Sequence, residues 1–153
     1  MRKSIIAILV LGCLLGMAAC RKQEKTNPWL GIWKLDISRS KLHEVPKQET
    51  MQIDAADHNS LKYSIRGISD EGKEYVESYD GKPDGGAYPV VVNGRELGKI
   101  AFHWQSDHVC TAQGSGPGGS TLTETAVLSD DGTTITIKSR EGKEEEETAI
   151  YTK

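Results

Sequence analysis

From Trp29 onward, apolar side chains recur at every second position, and the spacing of an amphipathic helix is hard to find. Trp33, Leu35 and Ile37 alternate with Lys34 and Asp36, and Met51 and Ile53 with Gln52 and Asp54. Leu61, Tyr63 and Ile65 keep the same period, as do Ile100, Phe102 and Trp104, and Ile135 and Ile137. A pleated strand sends successive side chains to opposite faces, so each set describes a strand with one buried and one wet face. The breaks are turn chemistry: Asp57-His58-Asn59-Ser60, Asp70-Glu71-Gly72-Lys73, Asp80-Gly81-Lys82, Asn93-Gly94, Asp131-Gly132 and Glu141-Gly142-Lys143. The pattern predicts about ten strands, near 31–37, 48–54, 60–67, 73–79, 87–92, 97–104, 107–113, 120–128, 133–139 and 146–152. An all-β fold follows. The regular hairpin rhythm predicts an antiparallel up-and-down β-barrel of about 8–10 strands, whose closure removes exposed sheet edges.

The first twenty residues follow a different pattern. Met1, Arg2 and Lys3 give a positive start, Ile5 to Leu15 is uncharged and apolar, and Gly16-Met17-Ala18-Ala19-Cys20 ends the run. Such an order is that of a secretory signal peptide. The apolar run of 16 residues from Ile5 to Cys20 falls short of the roughly 20 needed to cross a bilayer. Met17-Ala18-Ala19-Cys20 resembles the lipobox of bacterial lipoproteins. The resemblance implies diacylglycerol on the Cys20 thiol, cleavage just before it, and an acylated new amino terminus. Cleavage after Ala18 or Ala19, a retained anchor helix and a lipobox ending at Cys13 are the other readings. The expected organisation is a signal peptide over 1–19, a lipidated N-terminus and tether over 20–28, and a barrel domain over 29–153. The expected location is the bacterial envelope, lipid-anchored, on an outer membrane facing the periplasm or on the cell surface. A monomer is expected.

Charge then narrows the partners. Removing residues 1–19 takes away Arg2 and Lys3 and no acid, so the formal charge moves from -3 to -5. A moderately acidic domain argues against nucleic acid as partner. Of three cysteines, only Cys110 remains for the fold. It has no internal disulfide partner, and a lone thiol in an oxidising envelope usually survives by burial.

Gly31-Ile32-Trp33-Lys34-Leu35 opens the first predicted strand. It resembles the G-x-W signature of the calycin barrels, which include the lipocalins, and more closely the G-T-W-K-L opening of the fatty-acid-binding proteins. The resemblance implies a glycine bend into the barrel and an indole plugging one end beneath a cavity. A further resemblance, to lipocalin-like exported bacterial proteins of no firm function, covers nearly the whole exported part. It rests on Arg39-Ser40, Tyr79-Asp80-Gly81-Lys82, Tyr88-Pro89-Val90, Ser129-Asp130-Asp131-Gly132 and the final strand with Tyr151. Two departures separate the chain from fatty-acid-binding proteins. The segment from Ser38 to Gln48 is too short for their two-helix lid and contains Pro46, and Ala149 stands where their carboxylate-binding Arg would be.

No residue set points to catalysis. His103, His108 and Cys110 lie close in sequence, but their spacing matches no recognised zinc pattern, so no metal is expected there. The run from Gly114 to Ser120 lacks the Gly-Lys-Ser/Thr of a phosphate loop and leads into a strand, so it reads as a loop at the barrel mouth. Glu144 to Glu147 reads as a solvated, self-repelling turn, and the run from Gly67 to Gly72 misses the nucleophile-elbow spacing. No enzyme and no cofactor are expected. Trp33, Tyr63, Tyr79, Phe102 and Trp104 are the candidate ligand-lining residues, with Tyr75 also placed to face inward. Two functions remain. One is a barrel holding a small apolar or amphipathic ligand; the other is a structural or inhibitor-like envelope lipoprotein with a filled barrel.

Overall fold

A computed structural model describes residues 27–115 and 119–153. The candidate signal peptide, Cys20 and residues 116–118 of the glycine-rich loop lie outside the described residues. Ten strands follow one another: β1 (Gly31–Leu35), β2 (Gln48–Ala56), β3 (Leu61–Ile68), β4 (Glu74–Gly81), β5 (Asp84–Val92), β6 (Arg95–Ser106), β7 (Val109–Ser115), β8 (Thr121–Leu128), β9 (Thr134–Glu141) and β10 (Glu147–Thr152). Each pairs antiparallel with its neighbours in the chain, and β10 returns to β1 to close the barrel. The architecture is all-β, up-and-down and consistent with a calycin-like fold.

Closure is short at the β1–β10 seam, where the register pairs are Lys34 with Thr152 and Leu35 with Tyr151. Ser40 extends it: the Ile150 amide donates to Ser40 Oγ at 2.9 Å, and that hydroxyl donates to the Asp36 carbonyl at 2.7 Å. Here Ile37 departs from the alternating pattern. The Asp36 carboxylate accepts from Ser38 Oγ at 2.6 Å and its carbonyl from the Ser40 amide at 3.1 Å, a local turn that ends β1 at Leu35. Ile37 therefore lies on the surface rather than continuing the inward face.

Register irregularities fall where the pattern slips. Between Ile53 and Ala55 the pairing with β3 shifts, and the inward phase moves from Ile53 to Ala56. The β4–β5 ladder stops at Tyr79 with Val90, next to Pro89, which has no amide hydrogen to give.

The core gathers on the inner face. Trp33 and Ile135 have no exposed surface, and Tyr79, Leu128, Ile100 and Tyr151 are almost fully buried. Gly31 sits at φ +119°, a conformation that side chains with Cβ rarely adopt, and it turns the chain so that Trp33 enters the barrel. Three indoles close that end. Trp33 Nε1 donates to the Trp29 carbonyl at 2.9 Å, Trp29 Nε1 to the Asp107 carbonyl at 2.7 Å, and Trp104 Nε1 to the Asp57 carbonyl at 3.0 Å. Trp29 and Trp104 meet edge to face at 5.1 Å, and Lys153 Nζ lies 4.6 Å above the Trp33 ring.

Candidate binding cavity

The inward faces do not fill the barrel. Above the indoles lies a cavity of about 460 Å³. Its lower wall is apolar, with Met51, Ile53, Leu61, Phe102 and Trp104 around it. Its mouth is bordered by Leu42, Glu44 and Pro46 of the β1–β2 connection and by Ser69 and Asp70 of the β3–β4 turn. That connection contains no helix; it is an extended strap, held by the Lys41–Thr148 bridge.

Of the five aromatic candidates, Tyr63, Phe102 and Trp104 line the cavity. Trp33 and Tyr79 do not border it. They lie in the packed core, with Trp33 against the closed end and Tyr79 clamped between the rings of Tyr63, stacked at 5.6 Å, and Phe102, edge-on at 4.8 Å. Tyr75 reaches the cavity. Gly67, its register partner on β3, makes this possible, because a Cβ there would run into the Tyr75 ring.

Three carboxylates face inward among these aromatics: Glu49 on β2, Glu77 on β4 and Glu124 on β8. Glu49 is fully engaged, with Tyr75 donating to one carboxylate oxygen and Tyr151 to the other. Glu77 accepts from Tyr63 OH at 3.2 Å on one oxygen. Burial raises the Glu77 pKa, the Tyr63 hydrogen bond opposes the rise, and the charge of Glu49 adds to it. Glu124 receives no hydrogen bond from the described residues. It is partly buried, and it borders the cavity. Burial, then the charge of Glu77, push its pKa up to about 7. Burial and the same carboxylates also hold the phenols of Tyr63 and Tyr151 well above the ordinary tyrosine range.

Across the strand pair from Trp104 lies Cys110, a buried free thiol on the cavity wall. Burial first, and Glu124 second, push its pKa up to about 12. It is thus a poor nucleophile. His103 pairs with Thr111 and points outward, opposite to Cys110, while His108 Nδ1 lies 3.1 Å from the Leu128 carbonyl oxygen. These three side chains do not converge. Among the described residues no group of three His, Cys, Asp or Glu has an arrangement suited to a metal ion.

The acidic run after Gly142 needs a correction. It is not simply a solvated, self-repelling turn, because each carboxylate has a basic partner. Glu144 and Glu147 meet His43 Nδ1 at 3.8 and 3.2 Å, Glu145 meets Lys41 at 3.5 Å, and Glu146 meets Lys138 at 3.3 Å. Most of these pairs are exposed and stabilise little individually. Two of the partners lie on the strap, so the run fastens the strap to β10 beside the mouth.

The inward carboxylates are candidate site residues that the sequence pattern did not single out. Each occupies an inward phase: Glu49 precedes Met51 and Ile53, Glu77 lies between Tyr75 and Tyr79, and Glu124 between Leu122 and Ala126. An acid in an inward phase was the available signal.

Fold and cavity together define a ten-stranded, calycin-like barrel with an open, aromatic and acidic interior. In comparisons with protein-family models and with curated proteins, nothing matches the chain.

Proposed function

We propose that the chain is a membrane-anchored binding module of the bacterial envelope that holds a small apolar or amphipathic molecule inside its barrel. The observation that carries this reading is the cavity of about 460 Å³, within the range of roughly 300–1,000 Å³ typical of small-molecule sites. Its apolar floor supplies area to bury, and a few convergent polar groups supply orientation. A filled-barrel interaction protein would have no use for that volume. The anchor part rests on Met17-Ala18-Ala19-Cys20 after an apolar run, with acylation of Cys20 tethering the domain near its membrane. The resemblance to lipocalin-like lipoproteins adds to this reading through Gly31-x-Trp33.

Native mass spectrometry of the full chain purified from membranes tests the binding part, together with titration by the neutral fluorophore N-phenyl-1-naphthylamine. The expected results are a co-purified small molecule and saturable fluorescence enhancement. A protein that is repeatedly empty and silent toward the fluorophore would contradict it. The anchor is tested by the mass of the mature amino terminus, which should begin at a diacylated Cys20.

A further inference from the structure

Among the described residues, the cavity wall carries six carboxylates, Glu44, Glu49, Asp70, Glu77, Glu124 and Glu147, and no Lys, Arg or His side chain. A wall of one sign in a low-dielectric interior favours one sign of guest, and the effect is stronger than at a surface. The carboxylates differ in what they have left to offer. Glu49 has both oxygens occupied by tyrosine hydroxyls, and Glu147 is engaged by the His43 amide and ring. Glu77 has one oxygen bonded by Tyr63 and one that accepts no hydrogen bond from the described residues, while Glu124 has no hydrogen-bond donor at all among them. Glu124 is partly buried and opens onto the cavity, so its carboxylate is available to a donor that enters from outside the fold.

Nor does the surrounding wall suit a bare metal ion, because no cluster of ligands has the needed arrangement among the described residues. It does suit a donor attached to an apolar body. Phe102 and Trp104 lie on the same cavity wall, and aromatic faces attract cations as well as apolar groups.

Resting on the binding reading above, we propose that the cavity takes an organic cation: a small amphiphile whose ammonium group donates to Glu124 and to the free oxygen of Glu77, with its apolar part against Phe102 and Trp104. Its selectivity is thus opposite in sign to that of a barrel built to hold a carboxylate. Ala149, at the position where the fatty-acid-binding resemblance would put an arginine, borders this same cavity and leaves it without a cationic anchor.

The test is displacement of N-phenyl-1-naphthylamine from the full chain at pH 8 by n-octylammonium, n-octanol and n-octanoate, which share one chain and differ in headgroup charge. The expected order is octylammonium tightest and octanoate weakest, with octylammonium ahead of octanol by about tenfold, the factor that one charge-assisted contact supplies. Glu124→Gln should remove most of that preference, weakening octylammonium binding several-fold more than octanol binding. Glu77→Gln should reduce it in part, and serves as the second variant. If the fluorophore binds but octanol or octanoate equals or exceeds octylammonium, the cavity binds ligands and the cationic selectivity is wrong. Loss of octanol and octylammonium binding alike in Glu124→Gln would also overturn the proposed contact. If neither the fluorophore nor any of the three compounds binds, the binding function itself fails.

Discussion

The carboxylate of Glu77 on β4 repels that of Glu124 on β8, and no hydrogen-bond donor among the described residues relieves Glu124. Two acids facing one cavity make ionisation there unfavourable, so at mildly acidic pH the fold holds a proton that an unfolded chain has released.

The consequence for stability has a definite sign. Glu124 moves from an ordinary carboxyl value to about 7 in the folded chain, so between those values the folded state binds more protons than the unfolded one. Stability therefore falls as pH rises from about 4.5 through 7, by roughly 3 kcal/mol for a shift of that size. Glu77, also raised, acts in the same direction. The groups facing Glu124 (Glu77, Tyr63, Tyr151 and Cys110) are neutral or anionic, so none offsets the trend. Denaturant titrations at pH 5 and pH 8 should show the loss. Glu124→Gln should be the more stable protein at pH 8, by about 1–3 kcal/mol, with a flatter pH dependence.

Cys110 reports on the interior without any ligand. With a thiol pKa of about 12 and a buried position, it should resist iodoacetamide in the folded protein at pH 8 and react at once after unfolding. A cationic methanethiosulfonate should modify it faster than the anionic reagent of similar size, each rate normalised to that of free cysteine. Mass spectrometry of timed aliquots measures both rates. Equal normalised rates would show that the acidic wall does not act on entering molecules.

Two buried rings should respond oppositely to the loss of their polar atom. Tyr79 is 1% exposed and its hydroxyl has no hydrogen-bond partner among the described residues. Tyr79→Phe should therefore leave stability unchanged or raise it by up to about 1 kcal/mol. Trp33→Phe removes a donor from the Trp29 carbonyl and volume from the closed end, and should lower stability by about 2–4 kcal/mol. Thermal melts of the two variants side by side make the comparison.

Close approach of β6 and β7 rests on glycine. A Cβ on Gly98 would run into the Ser115 carbonyl oxygen, and one on Gly114 would come within 2.6 Å of the Lys99 carbonyl oxygen. Both obstacles are backbone, so neither can swing aside. Gly98→Ala should cost about 1–3 kcal/mol, seen as a lower denaturation midpoint.

The ten strands were legible because most inward positions are apolar or aromatic and most turns carry residues that tolerate or demand their geometry. Asn93-Gly94, for instance, occupies φ 50° and 78° at the β5–β6 turn. Strand ends were less legible. Ile37 fits the alternation, yet a side-chain hydrogen bond within the Asp36–Ser40 turn outweighs the burial it would gain. Partners remote in sequence were not legible at all. Nothing in Glu144 to Glu147 announces Lys41 and His43, which closure of the barrel brings alongside. The acidic interior was legible in principle, since Glu77 shares its phase with Tyr75 and Tyr79. Whether a cavity remained between these residues depends on how the rings of Tyr63, Tyr79 and Phe102 interlock, which no one-dimensional pattern contains.

Methyl-group NMR of the protein titrated with N-phenyl-1-naphthylamine tests most directly whether the barrel interior is a binding site. The methyls of Met51, Ile65, Ile137 and Ala149 border the cavity, whereas those of Ile32, Leu97 and Val127 are on the outer surface. Binding inside the barrel gives saturable shifts confined to the first set. Shifts confined to the second set, with the inner methyls unmoved, would contradict it.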